Sequence, residues 1–190
     1  MSRLAPLSFD QLPSELRAVM AEGERKMGFR ANDGLTMARL PAMLKGMAQM
    51  TWAVYGPDGR TPLELRKLIA YITSTAAGCI YCRAHTANGA FNAGVAPEKI
   101  AAAWEYETSP LFTESERAAL RLAQASGHAP VDVTDAHFAD LRLHFDDDQI
   151  AEMVGVIALF GFLNKWNAVI ATDVEPVPAD FVTRHLASGP

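Results

Sequence analysis

The sequence predicts an all-α protein of one domain, and three observations carry that prediction. Apolar residues recur at three- and four-residue spacing over most of the chain. Segments with that spacing open on helix-capping patterns, and several close on glycine. No run alternates convincingly between apolar and polar residues, and the Asn88-Gly89 pair, elsewhere a hairpin signal, falls inside a helical pattern.

Taken in order, residues 1–10 form a proline-containing arm, and Pro13 introduces a helix from Ser14 to Lys26. Residues 28–34 read as a loop. Leu35, Met37, Leu40, Met43, Leu44, Met47, Met50 and Val54 then keep nearly helical spacing up to Tyr55, with a break or a helix start at Pro41. Their methionine-rich face is expected in the core or at a subunit interface. After the turn Gly56-Pro57-Asp58-Gly59, Thr61-Pro62-Leu63-Glu64 has the form of a capping box with proline in the first helical turn. Leu65, Leu68, Ile69 and Ile72 repeat on one face of the helix that follows.

Small residues from Thr73 to Gly78 let the chain turn closely. A second helix runs from about Cys79 to Ala93 and stops at Gly94. Pro97-Glu98 opens a helix to about Tyr106, and Thr113-Glu114-Ser115-Glu116 is a further capping box, heading a helix to Ser126. Thr134 caps a helix to about His144. Asp146, Asp147 and Asp148 place negative charge at the start of a long helix that ends near Thr172, where the helix dipole favours it. The chain thus divides into an N-terminal arm and helix (1–27), a core (28–172) and a proline-containing tail (173–190).

Composition narrows the function classes. Hydrophobic residues make up 49% and charged residues 21%, with a net charge of −5, as in an ordinary soluble domain. Lys and Arg are scattered without a basic run, which argues against nucleic-acid binding. No apolar leader follows Met1, and the most apolar stretch, Met153 to Leu163, is too short to span a bilayer, so a cytoplasmic protein with no membrane partner is expected.

The chemistry concentrates in Gly78-Cys79-Ile80-Tyr81-Cys82-Arg83-Ala84-His85. It holds the only two cysteines of the chain, in a C-x-x-C arrangement, with a histidine three residues beyond. At the start of a helix the two thiols lie one turn apart, and the positive end of the dipole favours a thiolate. A thiolate attacks peroxides or disulfides and a neighbouring thiol resolves the product. His85 can stabilise a thiolate or accept a thiol proton. The same residues have blander readings: two small core side chains, or three metal ligands, although a structural zinc site wants four and no second cysteine pair exists. Neither metal nor cofactor is expected. Tyr81 reads first as a packing or hydrogen-bonding residue, and His128, His137, His144 and His185 have no comparable company.

The stretch from Leu65 to Leu68, with Ala76-Ala77-Gly78-Cys79-Ile80-Tyr81-Cys82-Arg83-Ala84-His85-Thr86, resembles the core of the AhpD-like alkylhydroperoxidase / carboxymuconolactone decarboxylase family. Residues 104–112 and Phe160-Gly161-Phe162-Leu163-Asn164 resemble its uncharacterised peroxidase-related members, so that the resemblance spans roughly residues 30–172. It implies an AhpD-like helical bundle with the C-x-x-C at the start of a core helix, assembled as a dimer, trimer or hexamer. It implies a thiol peroxidase or disulfide reductase acting on hydroperoxides, recharged by a dithiol or protein reductant. By position Cys82 matches the attacking cysteine, Cys79 the resolving one and His85 the proton-relay histidine.

Two positions depart from the better-studied peroxidases of that family. Those have three residues between the second cysteine and the histidine, whereas only Arg83 and Ala84 intervene here and Thr86 stands at the usual histidine position. They also carry a relay glutamate twelve residues before the first cysteine, where this chain has Lys67. Glu64, one turn earlier, is the substitute base if it is not consumed by its capping box, and Lys67 could support a thiolate by charge. The leading expectation is therefore a Cys79–Cys82 peroxidase or disulfide oxidoreductase. The alternatives are a decarboxylase-type enzyme on the same fold, which needs a base and an oxyanion site but no thiols, and a redox-sensing helical oligomer without turnover.

Overall fold

Helix α4, Leu63–Ala76, is the element around which the others gather: it packs on α5 (Ile80–Asn92), α7 (Glu114–Gly127) and α9 (Asp147–Ile170). The computed structural model describes residues 1–186. The remaining helices are α1 (Ser14–Met27), α2 (Asn32–Met37), α3 (Pro41–Tyr55), α6 (Pro97–Ala101), α8 (Asp135–Leu141) and α10 (Pro176–His185). No strand occurs among the described residues, so the all-α expectation holds.

The periodicity of α4 explains its position. Leu68, Ile69, Ala70 and Ile72 are almost wholly buried, and each large one contributes roughly 1.5–3 kcal/mol relative to exposure. Helix α7 closes on the C-terminal end of α4 at Gly127. A Cβ there would sit 2.6 Å from both the Ala76 side chain and the Thr73 carbonyl, so glycine permits that approach. A second core joins α1, α2 and α3 through Leu12, Leu16, Met20, Met37 and Leu44. Of the methionine face, Met37 is buried and Met47 packs on that core, while Met43 and Met50 stand more than a third exposed.

Five local expectations need correction. Residues 28–34 are not all loop, because α2 begins at Asn32. The Thr61–Glu64 capping box does not form: Pro62 precedes the helix, and the Arg60 and Thr61 N–H groups both donate at 2.8 Å to the Glu152 carboxylate of α9. The helix expected from Pro97 to Tyr106 is α6 followed by a 3-10 turn, Ala102–Glu105, and the one expected to reach His144 ends at Leu141. Most consequentially, the expected tail folds into α10, which packs on α5. Residues 187–190 of that expected tail lie outside the described residues. The capping boxes at Thr113/Glu116 and Asp146/Gln149 are present. Helix α9 is long and apolar enough to cross a membrane by length and composition, with a third of its most apolar window buried in the fold.

Candidate active site

The turn from α4 to α5 places the two cysteines. Cys79 N–H donates to the Ser74 carbonyl and Gly78 N–H to that of Thr75, the two bonds of a Schellman C-cap, with Gly78 at φ 67°. That turn delivers Cys79 as the N-cap of α5, where its Sγ accepts the Cys82 N–H at 3.4 Å. Both cysteines are free thiols and nearly inaccessible, at 3% and 2% exposure, with Phe160, Leu163 and Val174 packed over them and Tyr81.

The two sulfurs are electrostatically unequal. The Cys82 side chain and then the backbone N–H groups of Cys82 and Tyr81 hold Cys79 below the ordinary thiol range despite its burial. Cys82 is pushed above that range, first by its bond to Cys79 and then by burial. Of the two, Cys79 is therefore the sulfur on which a thiolate is favoured and Cys82 the one that holds its proton more tightly. Asn167 of α9 reaches Cys82 from the other side, its Nδ2 lying 3.4 Å from Sγ and 3.3 Å from Asp33 Oδ2.

His85 turns away from the sulfurs toward a carboxylate absent from the sequence-derived site. Its Nε2 lies 2.5 Å from Oε2 of Glu175, the residue that precedes α10. The other Glu175 oxygen accepts the Tyr81 hydroxyl at 2.9 Å and the Asn32 N–H at 2.5 Å. Burial disfavours the charged carboxylate, but the His85 hydrogen bond and charge outweigh it and hold Glu175 below its usual range. An ionised carboxylate only accepts, so Nε2 carries a hydrogen and Nδ1 is the ring nitrogen left for proton exchange. Tyr81 stacks on the His85 ring at 4.0 Å and Phe29 meets its edge at 5.1 Å. Burial, Asp33 and Glu175 push the Tyr81 hydroxyl far above its usual pKa, so it remains a donor.

The sequence-derived candidates thus fall into two groups. Cys79, Cys82, His85 and Tyr81 come together at the start of α5. Glu64 is exposed on α4 and Lys67 lies with its Nζ 3.5 Å above the Tyr55 ring. Burial, then the charge of Arg66, lowers the Lys67 pKa to about 8. Thr86, at the usual histidine position, donates at 2.6 Å to the Cys82 carbonyl. Sequence reasoning missed Glu175, Asp33 and Asn167. An acidic residue directly before Pro176 was a readable helix start, whereas nothing local pairs it with His85. Among the described residues no cluster of three His, Cys, Asp or Glu has metal-binding geometry. A cleft of about 180 Å³ lies between α5 and α10, lined by Ile80, Arg83, Ala84, Val174, Ala179 and Val182, and neither cysteine opens into it.

Comparison with known proteins bears on the family and the fold. The family model for the carboxymuconolactone decarboxylase family matches residues 41–125. The debrominase Bmp8 is 33% identical over 95% of this chain and 96% of its own, with a TM-score of 0.88. Its cysteine-to-alanine variant in complex with 2,3,4-tribromopyrrole superposes with a TM-score of 0.89 at 32% identity over the same shares. An uncharacterised peroxidase-related protein of Ralstonia eutropha JMP134, described as an alkylhydroperoxidase AhpD core, gives 26% identity, 95% coverage of each chain and a TM-score of 0.84. The uncharacterised protein YnjA of Escherichia coli (strain K12) is 28% identical over 113 residues, 58% of this chain and 62% of that relative's length. The chain belongs to the carboxymuconolactone decarboxylase family and has its AhpD-like helical fold.

Proposed function

We propose that the protein is a thiol-dependent reductase whose Cys79–Cys82 pair passes two electrons to an electrophilic substrate and closes to a disulfide. The observation that supports this reading is the pair of free thiols at the N-terminus of α5, one turn apart, with thiolate favoured on Cys79 and disfavoured on Cys82. With a hydroperoxide, the proton passes from Cys82 to Cys79 and the Cys82 thiolate attacks the terminal oxygen. The O–O bond breaks and the alkoxide leaves as an alcohol after taking a proton, for which His85 is the candidate carrier. The Cys79 sulfur then attacks the Cys82 sulfenic acid, its proton and the hydroxyl leaving as water. An external dithiol or protein reductant restores the pair.

A second substrate class is favoured by the similarity to Bmp8 along nearly the whole chain. With a halogenated aromatic ring, Cys82 takes the halogen, the ring carbon takes a proton, and Cys79 displaces halide to form the same disulfide. Because both sulfurs are covered, either substrate enters through a local opening.

The test is hydroperoxide consumption with dithiothreitol, run beside bromide release from a bromopyrrole. Cys82→Ser is expected to lose at least about 10³-fold of either activity, as removal of a nucleophile does. Full activity in the double serine variant would end the reductase reading. Turnover of a carboxymuconolactone that survives cysteine alkylation would instead favour the decarboxylase alternative.

A further inference from the structure

We propose that Asn167 is the donor that receives negative charge on the Cys82 sulfur, with Asp33 and Thr172 fixing which way its amide faces. This rests on the reductase reading, in which Cys82 attacks although Cys79 is the sulfur on which a thiolate is favoured. That reading poses a problem: moving the charge onto Cys82 takes it from the N-cap of α5 one turn into the helix, with no gain in exposure to offset the move. Asp33 adds to the difficulty, because its carboxylate disfavours charge on both sulfurs.

Asn167 answers it by geometry. It is 1% exposed, and its side chain has one orientation that satisfies its neighbours. Asp33 Oδ2, at 3.3 Å, is a carboxylate oxygen and can only accept, so the Asn167 group facing it must be the NH2. The Thr172 hydroxyl donates at 2.8 Å to Asn167 Oδ1, on the far side of the amide. With one N–H spent on Asp33, the second points to Cys82 Sγ at 3.4 Å. Each sulfur then has its own N–H donor at the same distance, the Cys82 backbone for Cys79 and the Asn167 amide for Cys82. One proton can therefore exchange between the sulfurs and leave a partnered thiolate at either end. Asn167 also stands between Asp33 and Cys82, spending that carboxylate's charge on an N–H. The other ionisable groups of the neighbourhood, His85, Glu175 and Tyr81, are engaged with one another.

The experiment isolates Cys82 in a Cys79→Ser background and follows its thiolate by ultraviolet absorbance against pH, with iodoacetamide alkylation as a second readout. Asn167→Leu is expected to raise the Cys82 pKa by about one unit, so that thiolate and alkylation rate at fixed pH fall about tenfold. Thr172→Val, which frees the amide to turn, is expected to slow alkylation about threefold. A Cys82 titration unchanged in Asn167→Leu, verified folded by circular dichroism, would overturn the assignment. Should that variant not fold, Thr172→Val decides: slowed alkylation supports the assignment and the parental rate overturns it. Neither readout depends on turnover. A protein that consumes neither hydroperoxide nor haloaromatic, yet loses Cys82 reactivity in Asn167→Leu, would sink the reductase reading and leave this assignment standing.

Discussion

The two flanks of α5 hold charge in opposite ways. On the α10 side, Glu175 is 5% exposed and has three donors: the Tyr81 hydroxyl, the Asn32 N–H and His85. On the α4 side, the Lys67 stem runs beside Gly89 of α5 and its ammonium rests on the Tyr55 ring. The Tyr55 hydroxyl and Arg66 Nε nearby are buried without hydrogen-bond partners. The first flank is a satisfied network that can hold and exchange a proton. The second is a packed cation whose burial opposes its charge. The family pattern would place the relay carboxylate at position 67 on α4; here the carboxylate beside the site histidine is brought by α10.

The sharpest way to break this comparison is to disarm the α10 flank. Glu175→Gln keeps the shape but removes the charge that faces His85, and is expected to lower turnover about 10²-fold, the scale of a general acid–base contribution. The same variant should cost about 1–3 kcal/mol at pH 7 by urea denaturation, because it leaves imperfectly paired buried donors. The sign follows from the lowered pKa of Glu175: its contribution is present above the ordinary carboxylate range and is lost as pH falls through the lower folded value. The gap between parent and variant should therefore narrow below about pH 4.3. A gap that widened on acidification would contradict an ionised Glu175.

A smaller effect is expected from rebuilding the family pattern. Lys67→Glu restores a carboxylate on α4, but His85 points to α10 and Thr86 bonds to its own helix, so turnover should change less than about threefold. Recovery of Glu175→Gln activity by Lys67→Glu would show that the two flanks are interchangeable. The smallest effect concerns stability alone. Lys67→Met removes a poorly solvated ammonium and should gain about 1–2 kcal/mol at pH 7, less than its burial suggests because the Tyr55 face offsets part of the cost. The parent should also become more stable between about pH 8 and the ordinary lysine range, where the unfolded chain binds the proton that folded Lys67 has released. Melting temperatures across that window test both expectations, and the slope should flatten in Lys67→Met.

What was legible in the sequence was local. The apolar repeat of α4, the Gly78 turn, the C-x-x-C at the head of α5 and the Thr113 and Asp146 caps depend on residues within a turn of one another. What was illegible spans the chain. The Thr61–Glu64 box lost its place to Glu152, and His85 found its carboxylate 90 residues away. Helix α2 has six residues, too few to display a period, yet it supplies Asn32 and Asp33 to the site. Proline content made residues 173–190 read as a tail, although Pro176 stands in the first turn of α10 and suits a helix start.

Glu175 gives the site an order of assembly. As the chain leaves the ribosome from its N-terminus, Cys79, Cys82 and His85 emerge well before the carboxylate that partners the histidine. Until that last stretch arrives, the dithiol helix can pack on α4, but His85 and Tyr81 have no acceptor at Glu175. The nascent protein thus carries its thiols before it carries the carboxylate side of its proton chemistry, and the docking of α10 on α5 brings that carboxylate to the candidate site.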